Sequence, residues 1–171
     1  MKPLVKGIAI AAIHLCLVGT LGAKLVYDRA TLPRAWVLTA PHDPDLPIRG
    51  RYVSLRLIVT PRGLPEAGSS HRRDVMLRVE DGSLVAEIKK GRNPNARRGL
   101  HVQHMTVNGE KVAVLREPVA FFIPEHIPDP SRLQSSERLW VEATIPKNGN
   151  PRPIRLGVST DNGPIQPLDV R

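Results

Sequence analysis

The sequence predicts an all-β protein: a single antiparallel barrel or sandwich-like domain of about seven or eight strands, behind one N-terminal transmembrane helix. Three observations carry that expectation. Residues 7–23, GIAIAAIHLCLVGTLGA, form one uncharged apolar run. From residue 52 the apolar residues alternate with a period of two. The 17 prolines recur between short apolar runs, which suits strands and turns and opposes long helices. A chain of 171 residues has room for an anchor and one domain. Aromatics are only 4% of the chain, so the core must be built from Val, Leu and Ile.

The anchor reading covers residues 1–27. Seventeen helical residues reach about 26 Å, slightly short of a hydrocarbon core. Leu25, Val26 and Tyr27 extend the span if Lys24 reaches back to the headgroups, and Tyr27 then sits at the interface. A cleaved signal peptide is the rival reading, with a poor site: a cut after Ala23 puts Leu21 where a small residue is preferred. Cys16, the one cysteine, allows no internal disulfide. Ile13-His14-Leu15 before it oppose a lipid-attachment motif. Lys2 and Lys6 favour an inside N-terminus, with Lys24 and Arg29 opposing. The expected location is the inner membrane, with the domain in the periplasm.

Residues 28–48 hold Pro33, Pro41, Pro44 and Pro47 and read as a Pro-rich linker. Trp36-Val37-Leu38 interrupts it, either as a short strand docked on the domain or as a patch at the membrane surface. The domain proper is expected over residues 49–171. Its first strand places Val53, Leu55, Leu57 and Val59 toward the core, with Tyr52, Ser54, Arg56 and Ile58 opposite. Residues 61–65 should end it. Further strands are expected at 74–79, 84–89, 100–107, 111–123, 139–145 and 154–159, with Asp81-Gly82 and Asn108-Gly109 as two-residue hairpin turns. Residues 129–138 allow a turn or two of helix. The basic loop at 91–99, GRNPNARRG, is expected to be exposed.

The stretch Gly50-Arg51-Tyr52-Val53-Ser54-Leu55-Arg56-Leu57 resembles the motif that names the GDYXXLXY domain family. Gly50, Tyr52 and Leu55 match; Arg51 stands in place of Asp, and Leu57 in place of the final Tyr. Residues 121–129 and 139–142 are similar to later segments of the same family. The resemblance implies a small bacterial membrane-associated protein with no established activity, partnered with a multi-pass membrane protein. The reversed charge at Arg51 removes any cation-binding role an Asp there would have.

The net charge is +9, of which +7 belongs to residues 24–171. A basic domain beside a membrane can lean on anionic headgroups or an anionic wall polymer. No aromatic-rich strand or nucleic-acid motif accompanies the charge, so no nucleic-acid partner is expected. Glu125, His126 and Asp129 gather three ligand types in a proline-bracketed loop and are the one polar cluster worth weighing as a hydrolytic or metal-dependent site, although their spacing fits no metal motif. His101 and His104 sit at odd spacing on one strand and should face opposite ways. His42, Asp43 and Asp45 read as turn chemistry. A Ser–Lys dyad, as in membrane-anchored signal peptidases, would have to use Ser54 with Lys89 or Lys111, because no Ser lies between Lys24 and Gly50. The expectation is membrane attachment through residues 7–27 and association of the domain with a membrane protein or envelope complex, with no catalytic residue, metal or cofactor assigned.

Overall fold

The computed structural model describes residues 3–40, 52–64, 74–88, 99–107, 109–124, 126–127, 130, 133–134, 136–147, 149–161 and 163–170. The chain divides into two compact units, Met1–Leu32 and Pro33–Arg171.

The first unit is a single helix, α1, over Pro3–Thr31, 29 residues with none buried. It is long and apolar enough to cross a membrane; at 1.5 Å per residue it reaches about 43 Å, beyond a hydrocarbon core of about 30 Å. Three polar side chains along it are satisfied by carbonyls one turn back. His14 Nδ1 lies 2.8 Å from Ile10 O, Thr20 Oγ1 donates to Cys16 O at 2.6 Å, and Thr31 Oγ1 donates to Tyr27 O at 2.8 Å. Such back-bonding removes much of the cost of placing polar groups in lipid. Leu32 N still reaches Asp28 O, and Pro33 then stops the helix.

The second unit is mostly strand, curled into a half-barrel. Its described strands are β1 (Arg34–Ala40), β2 (Tyr52–Arg62), β3 (Val75–Glu80), β4 (Ser83–Ile88), β5 (Val102–Val107), β6 (Glu110–Leu115), β7 (Val119–Phe122), β8 (Glu137–Thr144), β9 (Arg152–Thr160) and the short β10 (Gln166–Pro167). β10, β9, β8 and β1 run as an antiparallel ribbon. β1 is the seam: Arg34–Leu38 pair with β8, and Thr39 and Ala40 pass over to Leu57 and Arg56 of β2. β2 is the hub. Along its length it meets β7 (52–55), β1 (56–57), β6 (58–59) and β4 (60–62).

The expected alternation in β2 is present. Val53, Leu55, Leu57 and Val59 are buried, Leu57 completely, and they join the core with Val37, Leu77, Leu115, Val141 and Leu156. Full burial of one such Leu contributes about 1.5–3 kcal/mol by transfer from water. The Asp81-Gly82 hairpin is also present: both residues have positive φ (49° and 76°), as a type I′ turn requires.

Four expectations are corrected. The sheet is not wholly antiparallel: β2 ends at Arg62, within the expected 61–65, but its last residues Thr60, Pro61 and Arg62 pair with Val85, Ala86 and Glu87 in parallel. The stretch read as linker contains β1, which pairs with both β8 and β2, because Ala35, Val37 and Ala40 are buried; of the two alternatives for Trp36-Val37-Leu38, the docked strand is the one present, and residues 41–48 lie outside the described residues. The single strand expected over 111–123 is two, β6 and β7, broken at Arg116-Glu117-Pro118. Pro118 has no N–H for a ladder, and Arg116 N bonds His101 O instead. Glu137 and Arg138, read as the end of a short helix, begin β8. The basic stretch 91–98 and Asn108 lie outside the described residues.

Candidate functional site

Of the motif residues, Leu55 and Leu57 are core, Tyr52 is half-buried on the opposite face of β2, and Gly50 lies outside the described residues. Of the polar cluster, His126 is exposed in a turn closed by Ile127 N to Pro124 O, while Glu125 and Asp129 lie outside the described residues. The same holds for His42, Asp43, Asp45 and Lys89. Ser54 is buried on β2, and Lys111 is exposed on β6. Among the described residues, no three His, Cys, Asp or Glu side chains are grouped to hold a metal ion.

The structure brings together a set that the sequence did not join. Between Val114 and Val119 the chain uses two more residues than β2 uses between Ile58 and Leu55. That bulge aims Glu117 at His101, just ahead of β5. His101 Nδ1 donates to Glu117 Oε1 at 2.9 Å, and His101 N donates to Glu117 Oε2 at 3.1 Å. His101 Nε2 lies 3.4 Å from Asp74 Oδ1. Asp74 in turn lies against Gly99, where a Cβ would come within 1.9 Å of Oδ1, so only glycine leaves room for the carboxylate. Partial burial raises the pKa of Glu117, but the side-chain and backbone hydrogen bonds from His101 outweigh it and hold the carboxyl below its ordinary value. This arrangement ties the β3 edge to β5 and to the bulge. His104 does not share it and stands exposed on β5. The one sequence signal for the bulge is Pro118 inside an apolar run.

A second cluster crosses β1, β8 and β9. Trp36, Glu142 and Arg155 are successive cross-strand partners. Glu142 is 8% exposed; Arg155 Nε donates to its Oε2, and Arg34 Nη1 lies 4.0 Å from its Oε1. The Arg155 guanidinium stands 5.2 Å from the Trp36 ring centroid, a cation–π distance. Trp140 Nε1 donates to the buried Ser159 Oγ at 2.8 Å. Both tryptophans are therefore spent in the outer face of this sheet. A cavity of about 500 Å3 lies beside β9 and β10, walled by Ile127, Leu133, Val158 and Leu168, with Glu137 and Asp169 among its polar groups.

The third arrangement is on the outer face of β2 and β7. Tyr52 and Phe122 are direct cross-strand partners, as are Ser54 and Ala120, so these four side chains share one face with Arg56. Phe122 is 72% exposed and is, outside α1, the one exposed large hydrophobic side chain among the described residues. Arg56 Nε is buried and has no hydrogen-bond partner among the described residues.

Comparison of the chain with protein-family models, with curated proteins and with solved structures finds no match.

Proposed function

We propose that the chain is a single-pass membrane protein whose β-domain works by association, as an accessory or binding subunit of a membrane-envelope complex. The observation that carries this reading is α1: 29 residues of apolar helix with none buried. Exposed apolar surface on that scale calls for lipid or a protein partner to cover it. Lys2 and Lys6 before the span favour an N-terminus inside and the β-domain in the periplasm. The ordered resemblance of residues 50–57, 121–129 and 139–142 to the GDYXXLXY family supports a multi-pass membrane protein as the partner. A hydrolytic or metal-dependent reading around Glu125, His126 and Asp129 gains nothing from His126, which is exposed.

The test is purification of the C-terminally tagged full chain from membranes in a mild detergent, with intact-mass analysis. The reading expects residues 1–23 to be retained and a membrane protein to co-elute in stoichiometric amount. A mature chain beginning near residue 24, or a lone monomer, overturns it.

A further inference from the structure

We propose that the end of the β1–β8–β9 sheet where β1 begins is a binding surface for the anionic phospholipid headgroups of the membrane that α1 spans, carried by Arg34, Lys147, Arg152 and Arg155. This rests on the single-pass reading above and adds the class of lipid that the β-domain meets.

The fold gathers these four cations from three separate segments. β1 starts at Arg34, β8 ends at Thr144 and β9 starts at Arg152, and the three are successive cross-strand partners. The loop between β8 and β9 leaves from the same place, since Ile145 N donates to Pro33 O at 2.9 Å, and Lys147 stands exposed in it. In the next row, Arg155 gives its Nε to Glu142 and lies over the Trp36 ring, which fixes its position, while half of its side chain stays exposed. Arg152 and Arg155 are three residues apart, a spacing that sends side chains to opposite faces of a regular strand. The register shift between Glu142 and Ala143 places them opposite Thr144 and Glu142, so both stand on the outer face.

Among the described residues, this end sets four exposed cations against one carboxylate, Glu142, which is itself buried. The opposite end of the same sheet differs. There Glu137 begins β8 and Asp161 follows β9, its N donating to Ser136 O, beside Arg138. The sheet is thus polarised along its strands, and its positive pole is the end from which the chain leads to α1. Only Leu32 separates Thr31, the last residue of α1, from Pro33. A helix of about 43 Å matches a bilayer of about 40–45 Å with its headgroups, so a spanning α1 ends at headgroup level. Two further residues reach about 7 Å at most, inside the Debye length of about 8 Å at physiological salt. At that range each Lys or Arg strengthens attraction to an anionic surface about fivefold, and the arginine fork suits phosphate oxygens. An acidic protein segment would not require the positive pole to coincide with the anchored end; a headgroup layer does.

The test is native mass spectrometry of the full chain in zwitterionic micelles, titrated with phosphatidylglycerol or with phosphatidylcholine. The inference expects phosphatidylglycerol to bind about tenfold more tightly. Lys147→Gln and Arg152→Gln should each weaken phosphatidylglycerol about fivefold and leave phosphatidylcholine unchanged. Arg152→Lys should retain most of the affinity, because the charge stays, and it keeps the test interpretable should Arg152→Gln misfold. Arg138→Gln, at the far end of the sheet, should change little. Equal binding of the two lipids overturns the inference, as does a preference that survives Lys147→Gln and Arg152→Gln combined; if that preference falls with Lys24→Gln, it belongs to the helix. An equal loss with Arg138→Gln overturns it too, since net charge and not this surface would then be responsible. Displacement of phosphatidylglycerol by inorganic polyphosphate at equal phosphate concentration overturns it in favour of a soluble polyanion. A retained span with no lipid preference sinks this inference alone, whereas a mature chain beginning near residue 24 sinks the single-pass reading itself.

Discussion

Gly157→Ala isolates one close approach in the β1–β8–β9 sheet. Gly157 is in β9, paired with Trp140 on one side and Pro167 on the other. Its φ is not in the left-handed region, so an alanine brings no backbone strain. In an open strand the change would gain about 0.5–1 kcal/mol by removing glycine's unfolded-state freedom. Here the new Cβ would lie 2.8 Å from Ile165 Cγ2, 2.9 Å from Trp36 Cζ3 and 3.1 Å from Gln166 O. Ile165 can rotate away. Trp36 cannot easily, because the Arg155 guanidinium lies over its ring and is itself tied to the buried Glu142. Overpacking of this kind costs about 1–3 kcal/mol, which leaves a net destabilisation of about 1–2 kcal/mol. For a unit of this size that is roughly 3–8 °C in Tm. The assay is urea unfolding of the full chain in zwitterionic micelles, followed by tryptophan fluorescence. In a Trp36→Ala background the ring is gone, and the cost of Gly157→Ala should fall by about 1 kcal/mol, a coupling expected of residues in contact. A Gly157→Ala chain at least as stable as the parent would refute the packing argument. So would an undiminished cost in the Trp36→Ala background.

Leu57→Ala, at a position with no exposure, should lower stability by about 2–5 kcal/mol in the same urea titration, whereas Arg62→Ala, which breaks an exposed pair, should cost less than about 1 kcal/mol. Gly82→Ala meets no atom within 4 Å but holds a φ of +76°, so its cost should be pure backbone strain of about 1–2 kcal/mol, readable as a shift in Tm. The carboxyl of Glu117 has a folded pKa below its ordinary 4.5. Its stabilisation is therefore complete above about pH 4.5 and is lost as the pH falls through the lower folded value. Glu117→Gln should remove that part of the acid sensitivity, and a stability–pH profile unchanged between parent and variant below pH 4.5 would contradict the His101 contact.

The strands were legible wherever the information was local. Period-two alternation marked β2 and its core set, and Asp81-Gly82 marked the β3–β4 hairpin, because both depend on neighbours within a few residues. Pro33, Pro41 and Pro44 draw residues 28–48 toward a linker, and the buried Ala35, Val37 and Ala40 stand at steps of two and three, so no strict period-two run announces β1. Trp36-Val37-Leu38 admits either a docked strand or a membrane-surface patch from the sequence, and pairing with β8 and β2 decides for the strand. The Asp74–His101–Glu117 contact joins three segments far apart in the chain, and no spacing announces it.

The sequence by itself determined an exposed apolar helix, a β-domain, its aliphatic core face and one of its tight turns, since hydrophobic period and turn chemistry are properties of short stretches. Only the tertiary structure decided that β2 meets four partners, that one of these pairings is parallel, and that a bulge turns Glu117 onto His101. It alone showed that Arg56, half-way along a strand whose other face is sealed, has a buried donor unmatched among the described residues. The physical reason is that strand pairing is a choice among distant segments of similar propensity, settled by which combination buries the most apolar surface while leaving the fewest polar groups unpaired.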